Sequence, residues 1–248
     1  MTSIKADYTG GRYGNILFQY GNAVLVSAIT GHRLLDSGRS PRVQALVDDN
    51  IFNSIEHIHS FHDQFKGDQI ISLPTSCYDN KDESIIELPA GYYQLPDRVQ
   101  AYIKYKHILF REISCIDGLF VHVRLGDIYE GHFPKVFMCG IDYYRHALDR
   151  CGHVTGGRYI SSDTPDAPII KTLCEEYNLQ LYSEPDAGTT IKFAAQFHNK
   201  VLSMGTFSWW IGFLGCQENI IHPVQIHGKI HRFSGEIYDD DLGWTYIQ

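Results

Sequence analysis

The sequence predicts an α/β protein built of two Rossmann-like halves that face each other across a cleft. Apolar runs of strand length, such as Gly118 to Val123, stop abruptly at polar residues. Buried strands of a parallel sheet end in this way. Loop, helix and strand patterns recur along the chain, as they do where a parallel sheet is built from crossovers. The 248 residues suffice for one large domain or two small ones with real cores. The halves are expected at 1–105 and 106–225, with a carboxyl-terminal tail at 226–248.

The first half opens on a glycine cluster, Gly10, Gly11 and Gly14, which reads as a tight turn. From Asn15 to Ile29 the residues Ile16, Phe18, Ala23, Val26 and Ile29 recur near helical spacing. Thr30-Gly31 is the expected helix stop, and a strand is expected from Arg33 to Asp36. A helix entered through glycines can offer backbone N–H groups to an anion or a sugar hydroxyl. The glycine spacing does not fit the dinucleotide fingerprint. Residues 37–90 carry the weakest pattern. Their histidines and aromatics between Phe52 and Phe65 read either as acceptor contacts or as a surface segment with a packing role. A helix from Arg98 to Phe110 leads into the second half.

That half is organised around Val121-His122-Val123-Arg124-Leu125-Gly126-Asp127. His122, Arg124 and Asp127 fall at or just past the end of an apolar strand, the edge where open α/β sheets bind ligands. Burying Arg124 demands an anion. A guanidinium matches phosphate oxygens two at a time; an internal carboxylate is the alternative partner. A helix is expected to start near Asp142, whose charge suits its amino terminus. Arg158 to Ser162 reads as a strand. Asp163 then either accepts hydrogen bonds from a ligand or caps the following helix. That helix runs to Tyr177, and a strand Gln180-Leu181-Tyr182 follows. Thr206 and Ser208 stand at a loop-to-helix junction that can hold a phosphate. Trp209 and Trp210 are expected in the core, and Asn219 to Pro223 is the expected last strand.

These stretches carry a resemblance. His122-Val123-Arg124-Leu125-Gly126-Asp127 resembles the His-x-Arg-Arg-Gly-Asp signature of the alpha-1,2-fucosyltransferases. Gly14, Asn15, Phe18, Gln19 and Tyr20 match the family's opening block, with one extra residue after the glycine pair. Gly91-Tyr92-Tyr93-Gln94, Asp142-Tyr143-Tyr144, Ile160-Ser161-Ser162-Asp163 and Thr206-Phe207-Ser208-Trp209-Trp210 are similar to further blocks, in the family's order. The resemblance implies a GT-B-like arrangement, with GDP-sugar on the carboxyl-terminal half and the acceptor side on the amino-terminal half. It implies an inverting transfer of L-fucose from GDP-L-fucose to a sugar hydroxyl, with an alpha-1,2 linkage to a galactose-type acceptor and no metal or further cofactor. Arg124 would stabilise the leaving GDP. Asp127 or Glu130 would act as base. His122 and Asp163 would contact the nucleotide, and Thr206, Phe207 and Ser208 the phosphates. Gly11, Gly14 and Asn15 would also line the donor side. Leu125 stands where the family has a second arginine. That departure admits another donor such as GDP-L-galactose, or an inactive nucleotide- or glycan-binding module of the same fold.

Composition narrows the classes. The net charge of -8 argues against a general nucleic-acid binder. No run is long and apolar enough for a membrane span, and the first residues lack a signal-peptide core. A cytoplasmic protein is therefore expected, with its six cysteines as reduced thiols, because no pair has metal or redox spacing. His222, His227 and His231 lack supporting cysteine or carboxylate ligands, so no metal site is expected. Asp48-Asp49-Asn50 and Asp239-Asp240-Asp241 read as solvated segments. A serine-hydrolase elbow and a phosphate-loop Gly-Lys-Ser/Thr are both absent.

Overall fold

The computed structural model describes residues 2–6, 8, 10–35, 44, 48–66, 68, 85–89, 91, 93–126, 139–184, 186–223 and 240–247. Described residues up to Glu112 form one compact unit, and those from Ile113 onward form a second. The junction lies past the expected position at 105.

The first unit holds three parallel strands, β1 (Ser3–Ala6), β2 (Arg33–Leu34) and β3 (Ile85–Leu88), in the order β2-β1-β3. Helix α1 (Tyr13–Thr30) is buried nearly all round, and Leu17, Phe18, Val24 and Leu25 are wholly inaccessible. It ends at Gly31, in the left-handed conformation, whose N–H donates to Ser27 O at 2.9 Å. Two short helices, α2 (Ile55–Ser60) and α3 (His62–Phe65), follow. The packing alternative for the segment from Phe52 to Phe65 accounts for its contacts. Phe52 meets Phe110 and Tyr20, Phe65 meets Tyr105, and a His62 ring nitrogen lies 2.7 Å from Ala28 O. The expected helix from 98 to 110 is two helices, α4 (Pro96–Lys104) and α5 (Lys106–Leu109). No proline or glycine causes the break. Tyr105 leaves the helical conformation, and its ring packs 4.3 Å from that of Phe65.

The second unit is a six-stranded parallel sheet. Its strands are β4 (Ile116–Val123), β5 (Gly157–Ser162), β6 (Gln180–Leu181), β7 (Phe197–Val201), β8 (Asn219–Pro223) and β9 (Thr245–Ile247), in the order β6-β5-β4-β7-β8-β9. Counted within the unit, that order is 3-2-1-4-5-6, the doubly wound Rossmann arrangement. Strand β4 shows how sequence becomes layers. Leu119, Val121, Val123 and Leu125 belong to one core with Tyr143, Tyr144, Ala147 and Leu148 of α6 (Ile141–Cys151) and Ile170 and Leu173 of α7 (Pro168–Tyr177). Phe120 instead meets Phe193 of α8 (Ala187–Ala195) and Phe197 of β7. The two-residue period of a strand assigns alternate side chains to opposite faces.

Strand β8 is not the last. Trp244 is buried against Trp209, and β9 pairs in parallel with β8. The end of the expected tail therefore completes the sheet, because its aromatic and apolar residues have a core to enter. Trp209 and Trp210, on α9 (Thr206–Phe213), are fully buried, as the sequence led us to expect. The thiol expectation is corrected for one pair. Cys115 and Cys216, 101 residues apart, meet as a disulfide with a Cα–Cα distance of 5.8 Å. Among the described residues, no helix is long and apolar enough to cross a membrane.

Candidate functional site

From β4 the chain winds outward to β5 and β6, then returns to place β7 on the other side of β4. The sheet therefore changes direction between β4 and β7. Doubly wound sheets bind ligands just beyond the carboxyl ends of the strands at such a point. At the ends of β4 and β7 and just beyond them stand His122, Arg124, Ser203, Gly205 and the start of α9.

His122 is buried, and its Nδ1 lies 2.6 Å from Ser208 Oγ and 3.3 Å from Ser203 Oγ. The two hydroxyls are 3.0 Å apart, and the Arg124 N–H donates to Ser203 Oγ at 3.2 Å. One arrangement satisfies these contacts in relay. Arg124 N–H donates to Ser203, Ser203 to Ser208, and Ser208 to Nδ1, which leaves the ring proton on Nε2. Burial pushes the His122 imidazole down to about 4. Asp163 pulls it up and Arg124 pushes it further down, both less strongly than burial. The ring is thus neutral near pH 7 and offers an N–H donor rather than a charge. The Phe207 ring sits 5.1 Å from it.

Arg124 is half-buried, and its guanidinium lies against Gly205, the residue that caps α9. A Cβ at Gly205 would overlap that guanidinium, and the residue's φ of 114° also requires glycine. The first helical bond of α9 runs from Trp209 N to Gly205 O at 3.0 Å. The N–H groups of Thr206, Phe207 and Ser208 therefore precede the helical ladder. A full positive charge and the positive end of a helix dipole lie side by side here, a pairing that favours an anion.

Asp163 follows β5 at the same edge. Its Oδ1 accepts from Leu125 N at 2.9 Å and Gly126 N at 3.0 Å. The helix-cap alternative is corrected. Helix α7 starts at Pro168 with Ala167 as its cap and no side-chain capping bond, because Asp163 lies too early in the turn and holds the chain leaving β4 instead. Gly126 is needed at this point, since a Cβ there would run into the Asp163 carboxylate. Ser208 is also reassigned. Its hydroxyl is wholly buried between His122 and Ser203, so it orients the imidazole rather than facing a ligand. Leu125 has 1% exposure and faces the core shared with α6, the face opposite His122. Asp127 and Glu130 lie outside the described residues.

Gly11, Gly14 and Asn15 belong to the other unit. Gly14 and Asn15 are in the first turn of α1, and Asn15 Oδ1 accepts from Gln94 Nε2 at 3.0 Å. This bond joins two of the motif blocks, 79 residues apart. Further along, Asn22 Oδ1 accepts from the buried Arg98 Nε at 2.6 Å, and Asp97 pairs with Arg98 at 2.5 Å.

Sequence reasoning missed Ser203 and Gly205. The signal that found His122 was available for Ser203, which is the first polar residue after Val201, the last of β7, and the apolar Leu202. Chemically, the arrangement offers a cation, helix N–H donors, a neutral imidazole donor and an exposed carboxylate at one sheet edge. That set suits a phosphate-bearing ligand with a polar ring. No protein-family model matches this chain, and a search of curated proteins finds no match either.

Proposed function

We propose that this protein is a glycosyltransferase that moves L-fucose from GDP-L-fucose to a sugar hydroxyl of a glycan, forming an alpha-1,2 linkage to a galactose-type acceptor. The observation that carries the reading is the meeting of the Arg124 guanidinium with the amino terminus of α9 at the reversal point of a 3-2-1-4-5-6 sheet. Transfer to a hydroxyl leaves a nucleoside diphosphate whose charge grows as the glycosidic bond breaks. Fixed positive groups aimed at that oxygen lower the barrier without reorganising. Arg124 and the N–H groups of Thr206 and Phe207 take that role. His122, held by Ser208 and Ser203, supplies an oriented donor to the nucleotide, and Asp163 fixes the turn that carries Gly126. Asp127 and Glu130 remain the assigned candidates for the base. The motif blocks that resemble the alpha-1,2-fucosyltransferases gather in two places, around Arg124 in the second unit and at Asn15–Gln94 in the first. The same resemblance carries a GT-B arrangement, with the first unit on the acceptor side.

A calorimetric titration with GDP, UDP and ADP, repeated in EDTA, tests the proposal. GDP-selective binding that survives EDTA, followed by fucose transfer in a glycan screen, supports it. UDP preference or a requirement for manganese overturns it. Leu125 favours one variant of the reading. Its place in the core means that this position supplies no second cation, so a module that binds GDP-sugar without turnover is the outcome if GDP binds and no screened donor, GDP-L-galactose included, is consumed.

A further inference from the structure

We propose that Cys115, Cys216 and His198, once the cysteine pair is reduced, form a binding site for a thiophilic divalent metal ion of the zinc class. Among the described residues, these three offer one ligand atom each, all within 4.8 Å of one another. Ligand atoms about 2.0–2.3 Å from a tetrahedral zinc fall inside that separation.

The backbone holds all three in place. Cys115 immediately precedes β4, where Ile116 N donates to Gln196 O at 2.8 Å. His198 lies on β7, the strand next to β4. Cys216 N donates to Ala195 O at 3.2 Å, and the buried Lys200 ammonium donates to Cys216 O. Both cysteines are thus pinned to the segment that leads into His198, so a metal meets a preformed set rather than a loop it must order.

The imidazole has a further feature of a ligand. Glu218 Oε2 lies 2.9 Å from His198 Nδ1. The pair lacks hydrogen-bond geometry as it stands; a carboxylate that accepts from the second ring nitrogen orients a metal-bound imidazole and raises its basicity. A disulfide alone makes no use of either residue. A thiol reductant converts the disulfide to two thiols and is itself oxidised to a disulfide. Metal binding then releases the two thiol protons and forms two metal–sulfur bonds. The site lies at the start of β4, whereas His122 and Arg124 lie at its end, about 20 Å away along the strand. A metal here stabilises the sheet and takes no part in the chemistry proposed above.

The test uses the full chain, reduced with a dithiol, desalted without oxygen and titrated with cobalt(II) and then zinc. We expect one equivalent of cobalt with thiolate charge-transfer absorbance, displacement by zinc and a higher Tm in the loaded protein. Cys115→Ser and Cys216→Ser should abolish the absorbance, and His198→Gln should weaken binding about tenfold or more. No cobalt spectrum from reduced wild-type protein overturns the proposal, as does a disulfide that resists reduction in the folded chain. Unchanged affinity in His198→Gln does so too, because it would leave a simple dithiol chelator.

Discussion

The two units use their motif residues differently. In the second unit, stretches 37 to 86 residues apart deliver a cation, an imidazole, a carboxylate and a helix start to one edge of a parallel sheet. In the first, the motif residues Asn15 and Gln94 bond to each other, and nearby Arg98 bonds to Asn22 and Asp97, which fastens α1 to the chain around α4. The lesson lies in the strand geometry. A parallel sheet with a reversal point must gather its strand ends, so polar residues placed there converge without special contrivance. Polar residues on a buried helix converge only by pairing with what packs on that helix, and once paired they serve stability. On the proposed function, donor binding belongs to the second unit, and the polar seam of the first holds its own helices together.

The sharpest challenge to this division comes from inside the second unit. If the two faces of β4 have separate duties, Leu125→Arg should fail as a route to stronger donor binding. It would place a cation among Val123, Tyr144 and Leu148. We expect a loss of about 4 kcal/mol or more, or no folded protein, because a buried unpaired charge is among the most damaging changes. Chemical denaturation measures it. A stable variant with tighter GDP binding would mean that residue 125 can turn to the Arg124 side, and the separation of faces would be lost.

Arg124→Ala comes next. Removing a charged donor from a phosphate should weaken GDP binding by roughly a hundredfold, with Tm almost unchanged because the side chain is only half-buried. Calorimetry and thermal melts on one preparation separate the two effects. A fall in Tm with no change in affinity would turn Arg124 into a structural residue and remove the main contrast between the units.

Much of the second unit was legible beforehand. The apolar run into His122 and Arg124 located β4; that Leu119, Val121, Val123 and Leu125 share one face emerged only with the strand's partners in place. Strand order was not legible, since parallel pairing of Phe120 with both Tyr159 and Lys200 joins residues tens of positions apart. The Cys115–Cys216 meeting was hidden for the same reason. The break at Tyr105 was hidden because it comes from packing against Phe65, with nothing local to announce it. The role of Asp163 was half-legible. A strand-end aspartate was visible, yet its partners, the N–H groups of Leu125 and Gly126, lie on the neighbouring strand's exit.

Acid should separate the units again. Burial pushes His122 and His222 down to about 4 each, and both belong to the second unit. The ordinary value is 6.5. The unfolded chain therefore binds these protons first, and stability is complete above pH 6.5 and declines as pH falls toward 4. Each group contributes about 2–3 kcal/mol over that window. Denaturation followed across pH by a probe in the second unit should show the slope, and His122→Asn should reduce it by about half. A flat profile between pH 6.5 and 4 would mean that the imidazoles are hydrated and already able to take a proton.

The smallest effect tests the first unit's role as framework. Gln94→Ala removes the partly buried bond to Asn15, worth about 0.5–1.5 kcal/mol for a neutral pair. We expect a Tm lower by a few degrees and a GDP affinity within about threefold of the wild type, since neutral hydrogen bonds remote from a phosphate change its binding little. Calorimetry on this variant sets the scale for the comparison. If GDP affinity falls as far as in Arg124→Ala, then Asn15 and Gln94 belong to the donor site. The polar seam on α1 would then be recognition surface as well as framework.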